Sequence, residues 1–171
     1  DGLFPEITRC LALKGAEVLI RPTSWLGVTC AEPYDWWEMQ NRMRAAENIC
    51  YVVAPNAGDT LNSPERPRAH VPGRSMIVDY EGRLLAKAGT SGELTIDATI
   101  HLDALWHKRS LTKWNPLATL RTEAYAPIYQ QSMYPPNLWK DKPHDTLQQV
   151  TEAILSSIRK LMDRDIMRRK K

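Results

Sequence analysis

The first nine residues, Asp1-Gly2-Leu3-Phe4-Pro5-Glu6-Ile7-Thr8-Arg9, constrain the chain more than any other stretch, because they read as a turn running straight into a helix. Asp1 and Gly2 suit a tight turn, where glycine tolerates positive φ. Pro5 fits the first helical position, where its missing N–H forfeits no bond. Glu6 complements the positive end of the helix dipole. Ile7, Cys10, Leu11 and Lys14 follow at helical spacing, and Gly15 stands where a left-handed cap would end the helix. Glu17 to Ile20 reads as a short buried strand. The opening is therefore one α/β unit, and the turn before such a helix is a place where these units hold reactive groups.

The same alternation continues. After the loop Pro22-Thr23-Ser24-Trp25 and an irregular stretch to Pro33, Tyr34 or Asp35 can start a helix running to about Asn48, with Trp36, Met39 or Gln40, Met43 and Ala46 along one face. Cys50 to Pro55 is a continuous apolar run with β-branched Val52 and Val53, which predicts a buried strand ended by Asn56-Ala57-Gly58-Asp59. Residues 60–73 are polar and proline-rich and read as a loop. Ser75 to Asp79 and Arg83 to Lys87 form a hairpin pattern around Tyr80-Glu81-Gly82. Glu93 to Ile100 is expected to be another strand, and Leu102 to Arg109 a short helix.

From Ser110 to Pro143 the character changes. Pro116, Pro127, Pro135, Pro136 and Pro143 break regular structure, and Trp114, Tyr125, Tyr129, Tyr134 and Trp139 are scattered among them, so the segment is expected to pack by aromatic anchoring. Asp145-Thr146-Leu147-Gln148 fits a capping box. The helix after it carries Leu147, Val150, Ile154, Ile158, Leu161 and Met162 on one side. The expected organisation is α/β, with residues 1–109 as one body and 110–171 as an aromatic, proline-rich extension with a terminal helix.

Composition excludes several classes. The chain has 171 residues, 43% of them apolar, which suits one globular body. No apolar run approaches the roughly 20 residues that span a bilayer, so no membrane is expected, and the first residues carry no signal-peptide pattern. The formal charge is +3, but Arg159 to Lys171 holds seven basic residues against two acidic ones. The body is thus slightly acidic, which argues against nucleic acid. Cys10, Cys30 and Cys50 make an odd set without paired spacing, which favours a reducing cytoplasm.

Several stretches together resemble the nitrilase, or carbon–nitrogen hydrolase, superfamily. They are Asp-Gly-x-Phe-Pro-Glu-x-x-Arg at the start, Lys14-Gly15-Ala16-Glu17 through Trp25, and Arg44-Ala45-Ala46-Glu47-Asn48 followed by Tyr51 to Asn56. The last is Gly73-x-Ser75-Met76-Ile77-Val78-Asp79-Tyr80-x-Gly82. The resemblance covers residues 1 to 109. It implies part of a four-layer αββα sandwich and a hydrolase of non-peptide carbon–nitrogen bonds. The nucleophilic cysteine would lie two residues before Asp1, on a strand-to-helix elbow, with the catalytic Glu and Lys further upstream. No catalytic residue would then lie in this chain, and its partners would be the N-terminal part of the same domain and a small-molecule amide. No cofactor is implied. Tails in this family often pack on a neighbouring subunit, so a homodimer or larger assembly is expected. Carbamoylases carry Arg at the positions of Gly2 and Leu3, to pair a carboxylate. Their absence favours a small or neutral amide and a likeness to aliphatic amidases and formamidase, although those enzymes carry a different loop at Pro22 to Trp25. A nitrile hydrolase or acyltransferase with the same site is an alternative, as is a non-catalytic binding or scaffold chain.

On the residues alone, Cys10 and Cys50 read as core positions and Cys30 as a loop thiol, none of them a nucleophile. His70, His101, His107 and His144 lack metal-ligand spacing, so no metal is expected. Asp1 is a turn residue by itself; the resemblance places it beside the nucleophile. Thr23, Ser24 and Trp25 follow a strand at its C-terminal end, where ligands bind in α/β layers, and the resemblance makes this loop pocket-lining; the alternative is an ordinary turn with Trp25 in the core. Asn56 ends the next strand, either pointing to the pocket or bonding within a loop. The pairs Glu6 with Arg9 and Arg44 with Glu47 are expected to be structural.

Overall fold

The computed structural model describes residues 2–24, 35–58, 73–89, 93–130, 132–141, 143, 146–164 and 166. Two compact units are present, residues 1–120 and 121–171.

In the first unit the opening helix α1 spans Pro5–Leu13, with the proline in its first turn as expected. It ends on Gly15 at φ 96°. Gly15 N–H donates to the Ala12 carbonyl at 2.9 Å and Ala16 N–H to the Leu11 carbonyl at 3.0 Å, the paired bonds of a Schellman turn. The chain then enters β1, Val18–Ile20. Helix α2, Trp36–Asn48, crosses to β2, Tyr51–Ala54, which runs parallel to β1 with Leu19 opposite Val52. Strands β3, Met76–Val78, and β4, Leu84–Lys87, add on antiparallel, giving the order β1-β2-β3-β4.

Two clusters cover the two faces of this sheet. On one, Leu19, Val52, Ala54, Met76 and Val78 pack with Ala12 of α1 and Trp37 and Ala45 of α2. On the other, Tyr51 packs with Leu105 of α3, which spans Leu102–Ser110. The alternation of strand side chains sorts them between the faces.

Polar side chains fix the junctions. Asp35 caps α2 by accepting from Glu38 N–H at 3.0 Å, and the same carboxylate pairs with Arg74 at 2.8 Å and Lys87 at 3.3 Å. Lys87 also meets Glu38. Burial would depress the Lys87 amine, yet the Glu38 and Asp35 carboxylates raise it above the ordinary lysine range. At the other end of α2, Ile49 is left-handed, with φ 45° and ψ 58°, a conformation that a β-branched side chain rarely takes. Ile49 is almost wholly buried, and its carbonyl accepts from Arg109 Nε at 2.9 Å.

Several expectations need correction. Residues 93–100 form no strand; alternation of side chains by itself does not make one. Helix α2 buries Trp37, Asn41, Arg44, Ala45 and Asn48, whereas Trp36, Met39 and Met43 are each more than half exposed. The apolar stripe is thus turned outward, and the inward face is held by hydrogen bonds. Helix α1 likewise buries Thr8 and Ala12 while Ile7 and Leu11 remain exposed.

In the second unit α4 spans Thr122–Tyr129 and contains Pro127, where a break was expected. Helix α5 spans Leu147–Asp163, and its capping box is Thr146 with Gln149, one residue later than the spacing of Asp145 and Gln148 indicated. Thr146 leads with a β-branched hydroxyl in extended backbone, which suits an N-cap.

The β3–β4 hairpin makes a sharp prediction. Asp79 accepts from the N–H groups of Glu81 and Arg83, each at 2.8 Å, and Gly82 sits at φ 82°. A Cβ on Gly82 would meet the Arg42 carbonyl oxygen of α2 at 3.0 Å and Ala46 Cβ at 3.3 Å. Gly82→Ala therefore combines backbone strain with a collision against a helix and should cost about 1–3 kcal/mol in urea unfolding of the complete protein. An unchanged midpoint would contradict this packing.

Candidate functional site

Parallel strands β1 and β2 end side by side, and pairing continues past them. Arg21 N–H donates to the Val53 carbonyl at 2.8 Å, Thr23 N–H to Pro55 at 3.0 Å, and Ala57 N–H to Thr23 at 3.0 Å. Thr23 and Asn56 thus face each other in a parallel bridge. The turn that opens the chain reaches the same edge, because Arg21 Nη2 donates to the Gly2 carbonyl at 2.7 Å.

Arg21 is the centre of this arrangement. Its Nη1 donates to Asn41 Oδ1, and its Cζ lies 5.6 Å from the ring centroid of Trp37, a cation–π distance. Asn41 is itself fixed by donating to the Trp37 carbonyl at 2.9 Å. Burial, and then the charge of Arg44, lower the Arg21 guanidinium to about 10, so it remains a cation at neutral pH. A second guanidinium, Arg44, donates to the Leu3 carbonyl at 3.3 Å and pairs with Glu47 at 3.0 Å. Its Nε is buried without a hydrogen-bond partner among the described residues. Arg9 of α1 donates to the Glu47 carbonyl, closing the link between α1 and α2. The Arg44–Glu47 pair is structural, as its spacing indicated.

Beside the turn is a cleft of about 420 Å³ between α1 and β1, lined by Leu3, Ile7, Leu11, Ile20, Arg21 and Trp37. Its walls are mostly apolar, with the Arg21 guanidinium and the hydroxyl side chains of Thr8 and Thr23 as the polar groups. Ile20 is 70% exposed, a large apolar residue left open at a strand that pairs, among the described residues, only with β2.

The structure brings together three of the expected pocket residues. Thr23 and Asn56 are paired and Ser24 follows, exposed. Asn56 is buried: its Nδ2 donates to the Gly73 carbonyl at 2.7 Å, and its N–H donates to Ser75 Oγ at 3.0 Å. Its amide thus ties the end of β2 to the loop that enters β3. Asp1 and Trp25, and Cys30 with them, lie outside the described residues.

Gly2 lies in a turn as its sequence reading indicated, whereas Cys10 departs from its reading. Gly2 is not in the positive-φ region; a Cβ there would collide with Arg21 Nη2, so this glycine provides space rather than a backbone angle. Cys10 is exposed rather than core, because α1 turns Thr8 and Ala12 inward. Cys50 is buried as expected, donating to the Ala16 and Asn48 carbonyls at 3.1 and 3.2 Å and accepting from Arg109 Nη2 at 3.0 Å. Burial pushes the Cys50 thiol up, against the opposing pull of Arg109. Among the described residues no group of three or more His, Cys, Asp or Glu side chains is placed to hold a metal, and no helix is long and apolar enough to cross a membrane.

Arg21, Asn41 and Arg109 were not singled out from the sequence. A signal for Arg21 exists: it is a cation at the end of the apolar run Val18-Leu19-Ile20 and directly before Pro22.

Comparisons with known proteins show the family. Residues 1–108 match the family model described as carbon–nitrogen hydrolase. A deaminated glutathione amidase of Synechocystis sp. is 38% identical over 105 residues, covering 61% of this chain and 36% of that protein. A citrullinase of Francisella tularensis is 32% identical over 138 residues, 77% of this chain and 46% of that protein. The crystal structure of a carbon–nitrogen hydrolase from Helicobacter pylori G27 superposes with a TM-score of 0.60 at 26% identity, covering 75% of this chain and 46% of that one. The chain thus spans less than half the length of these relatives.

The cysteines supply a direct check on the packing of α1 and β2. Iodoacetamide should modify exposed Cys10 in the native protein and leave Cys50 unmodified until urea unfolds it, because a thiol with a raised pKa and buried surroundings reacts slowly. Equal native rates at the two positions, read by peptide mass spectrometry, would contradict the placement.

Proposed function

The chain belongs to the carbon–nitrogen hydrolase family, and from that membership we propose that the complete protein hydrolyses a small or neutral amide through a cysteine thioester. The fold is α/β, part of the four-layer αββα sandwich of nitrilase type. The present residues supply one side of the site: the elbow turn at Asp1 and Gly2, the loop beginning Thr23-Ser24, and the β2 end at Asn56. The nucleophile, two residues before Asp1, and the Glu and Lys that assist it come from the N-terminal part of the domain.

The reaction has two halves. The Glu takes the thiol proton as the sulfur attacks the amide carbonyl, and the Lys stabilises the oxyanion. The C–N bond breaks, the nitrogen receives that proton and leaves as ammonia or amine, and water then hydrolyses the thioester.

The observation that carries this reading is convergence at one sheet edge. Arg21 leaves the end of β1 and holds the Gly2 carbonyl at 2.7 Å, so the turn ahead of α1 and the paired strand ends form one rigid corner. A nucleophile entering that turn meets the loop of Thr23 and Ser24. In α/β sheets this is the edge where ligands bind. Relatives named as amidases support the amide as substrate class.

The exposed stripes of α2 (Trp36, Met39, Met43) and α5 (Leu147, Ile154, Leu155) support a homodimer or larger, since contiguous exposed apolar surface marks an interface. The odd cysteine set supports a reducing cytoplasm.

Two preparations test both parts. The complete protein should release ammonia from propionamide or a similar small aliphatic amide and sediment as a dimer or larger, whereas residues 1–171 alone should release none. Ammonia release by residues 1–171 alone would place the nucleophile within this chain and contradict the reading. A complete protein that sediments as an active monomer would remove the assembly.

A further inference from the structure

We propose that Arg21 is a positioning residue for the nucleophile turn, a role that rests on the elbow reading of Asp1 and Gly2. Its two terminal nitrogens divide the task. One is anchored on Asn41 Oδ1, and the other takes the Gly2 carbonyl at 2.7 Å. Its Cα is anchored too, because Arg21 N–H is paired with Val53 across the sheet at 2.8 Å. The side chain therefore refers the turn to the sheet and to α2 at once.

The adjacent carbonyl is held independently. Arg44 of α2 donates to Leu3 at 3.3 Å. A peptide unit is planar, so fixing the oxygens of Gly2 and Leu3 also fixes the opposed N–H groups of Leu3 and Phe4. Two successive planes at the head of α1 are set by two guanidiniums, and with them the point in space from which the chain before Gly2 sets out. A thiol upstream of Asp1 is referred to that fixed point.

Energetics argue that this cation is held for position. The groups holding Arg21 are an amide oxygen, a carbonyl and an indole face, all neutral. A half-buried cation without a carboxylate partner among the described residues is costly, and Arg44 adds repulsion, which is why the Arg21 guanidinium is lowered to about 10. A methionine or leucine would fill the apolar cleft with Ile7, Leu11 and Ile20 at less cost. What such residues cannot do is donate to a carbonyl and an amide in one plane. Gly2 fits the same account, since any side chain there would strike Arg21 Nη2.

The test uses the complete protein, with Arg21→Met, Arg21→Lys and Gly2→Ala. Gly2→Ala keeps the guanidinium but displaces its flexible end, so it folds even where Arg21→Met does not. The probes are iodoacetamide, read as the alkylation rate of the cysteine upstream of Asp1, and ammonia release from propionamide. Arg21→Met and Gly2→Ala should lower alkylation rate and kcat by about 10- to 100-fold, the scale of a reacting group misplaced by about 1 Å. KM should stay within about threefold, because the loss falls on the reacting geometry rather than on binding. Arg21→Lys should recover part of the loss, since it keeps one donor. A folded variant, by thermal melting, whose alkylation rate and kcat match the parent would overturn the positioning role while leaving the elbow reading intact. A parent protein with no reactive thiol upstream of Asp1 would overturn the elbow reading, and this proposal with it.

Discussion

Much of the first unit depends on one half-buried guanidinium. Arg21 touches the opening turn, helix α2 through Asn41 and Trp37, and strand β2 through its own backbone. Remove its charge and the Gly2 carbonyl, Asn41 Oδ1 and the face of Trp37 lose a common partner. Such groups are expensive to leave unpaired out of water. The apolar clusters explain why the sheet and helices associate; the cation explains why the turn sits against the end of β1 and not elsewhere along it.

A second ionic junction plays the matching part on the far side of α2. Asp35 caps the helix and collects Arg74 and Lys87 from the β3 and β4 region. Arg42 donates to the Gly82 carbonyl at 2.8 Å in the hairpin turn. The helix is therefore tied at its N-terminus to the hairpin, through Arg44 to the opening turn at Leu3 and through Glu47 to Arg9 of α1, while Trp37 packs in the core. That explains its inverted appearance. Asn41, Arg44 and Asn48 face inward beside Trp37 and Ala45 because they have partners there, and Trp36, Met39 and Met43 face outward. At the C-terminal end the chain turns back into β2 through the left-handed Ile49, and burial of that side chain with the Arg109 bond to its carbonyl offsets the strain.

Local chemistry made much of this legible. Pro5 and Gly15 bracket α1, Asp35 starts α2, and the Val52–Val53 run and the Asp79–Gly82 turn mark their strands, because each acts through its own backbone. What could not be read was which side of a helix faces in. The spacing of Trp36, Met39 and Met43 is the ordinary mark of a buried stripe, and only the partners of Asn41, Arg44 and Asn48, distant in sequence, reverse it. Gly2 was legible as a turn residue, but its second constraint was not, because the space it leaves is taken by Arg21, a residue far along the chain. Residues 93–100 alternate like a strand but form none, because alternation does not specify a partner. At the site, Thr23 and Asn56 were placed at strand ends by pattern, and the structure shows them paired. The Gly73 and Ser75 partners of Asn56 depend on a loop closure that no local signal records.

The central claim is that the turn ahead of α1 is the seat of the nucleophile. The most direct measurement is to acylate the complete protein with a substoichiometric amount of p-nitrophenyl acetate, quench in acid, and locate the acetyl group by tandem mass spectrometry. The account predicts a thioester on a cysteine two residues before Asp1. An acetyl group on Cys10, Cys30 or Cys50, or no thioester at all, would contradict it.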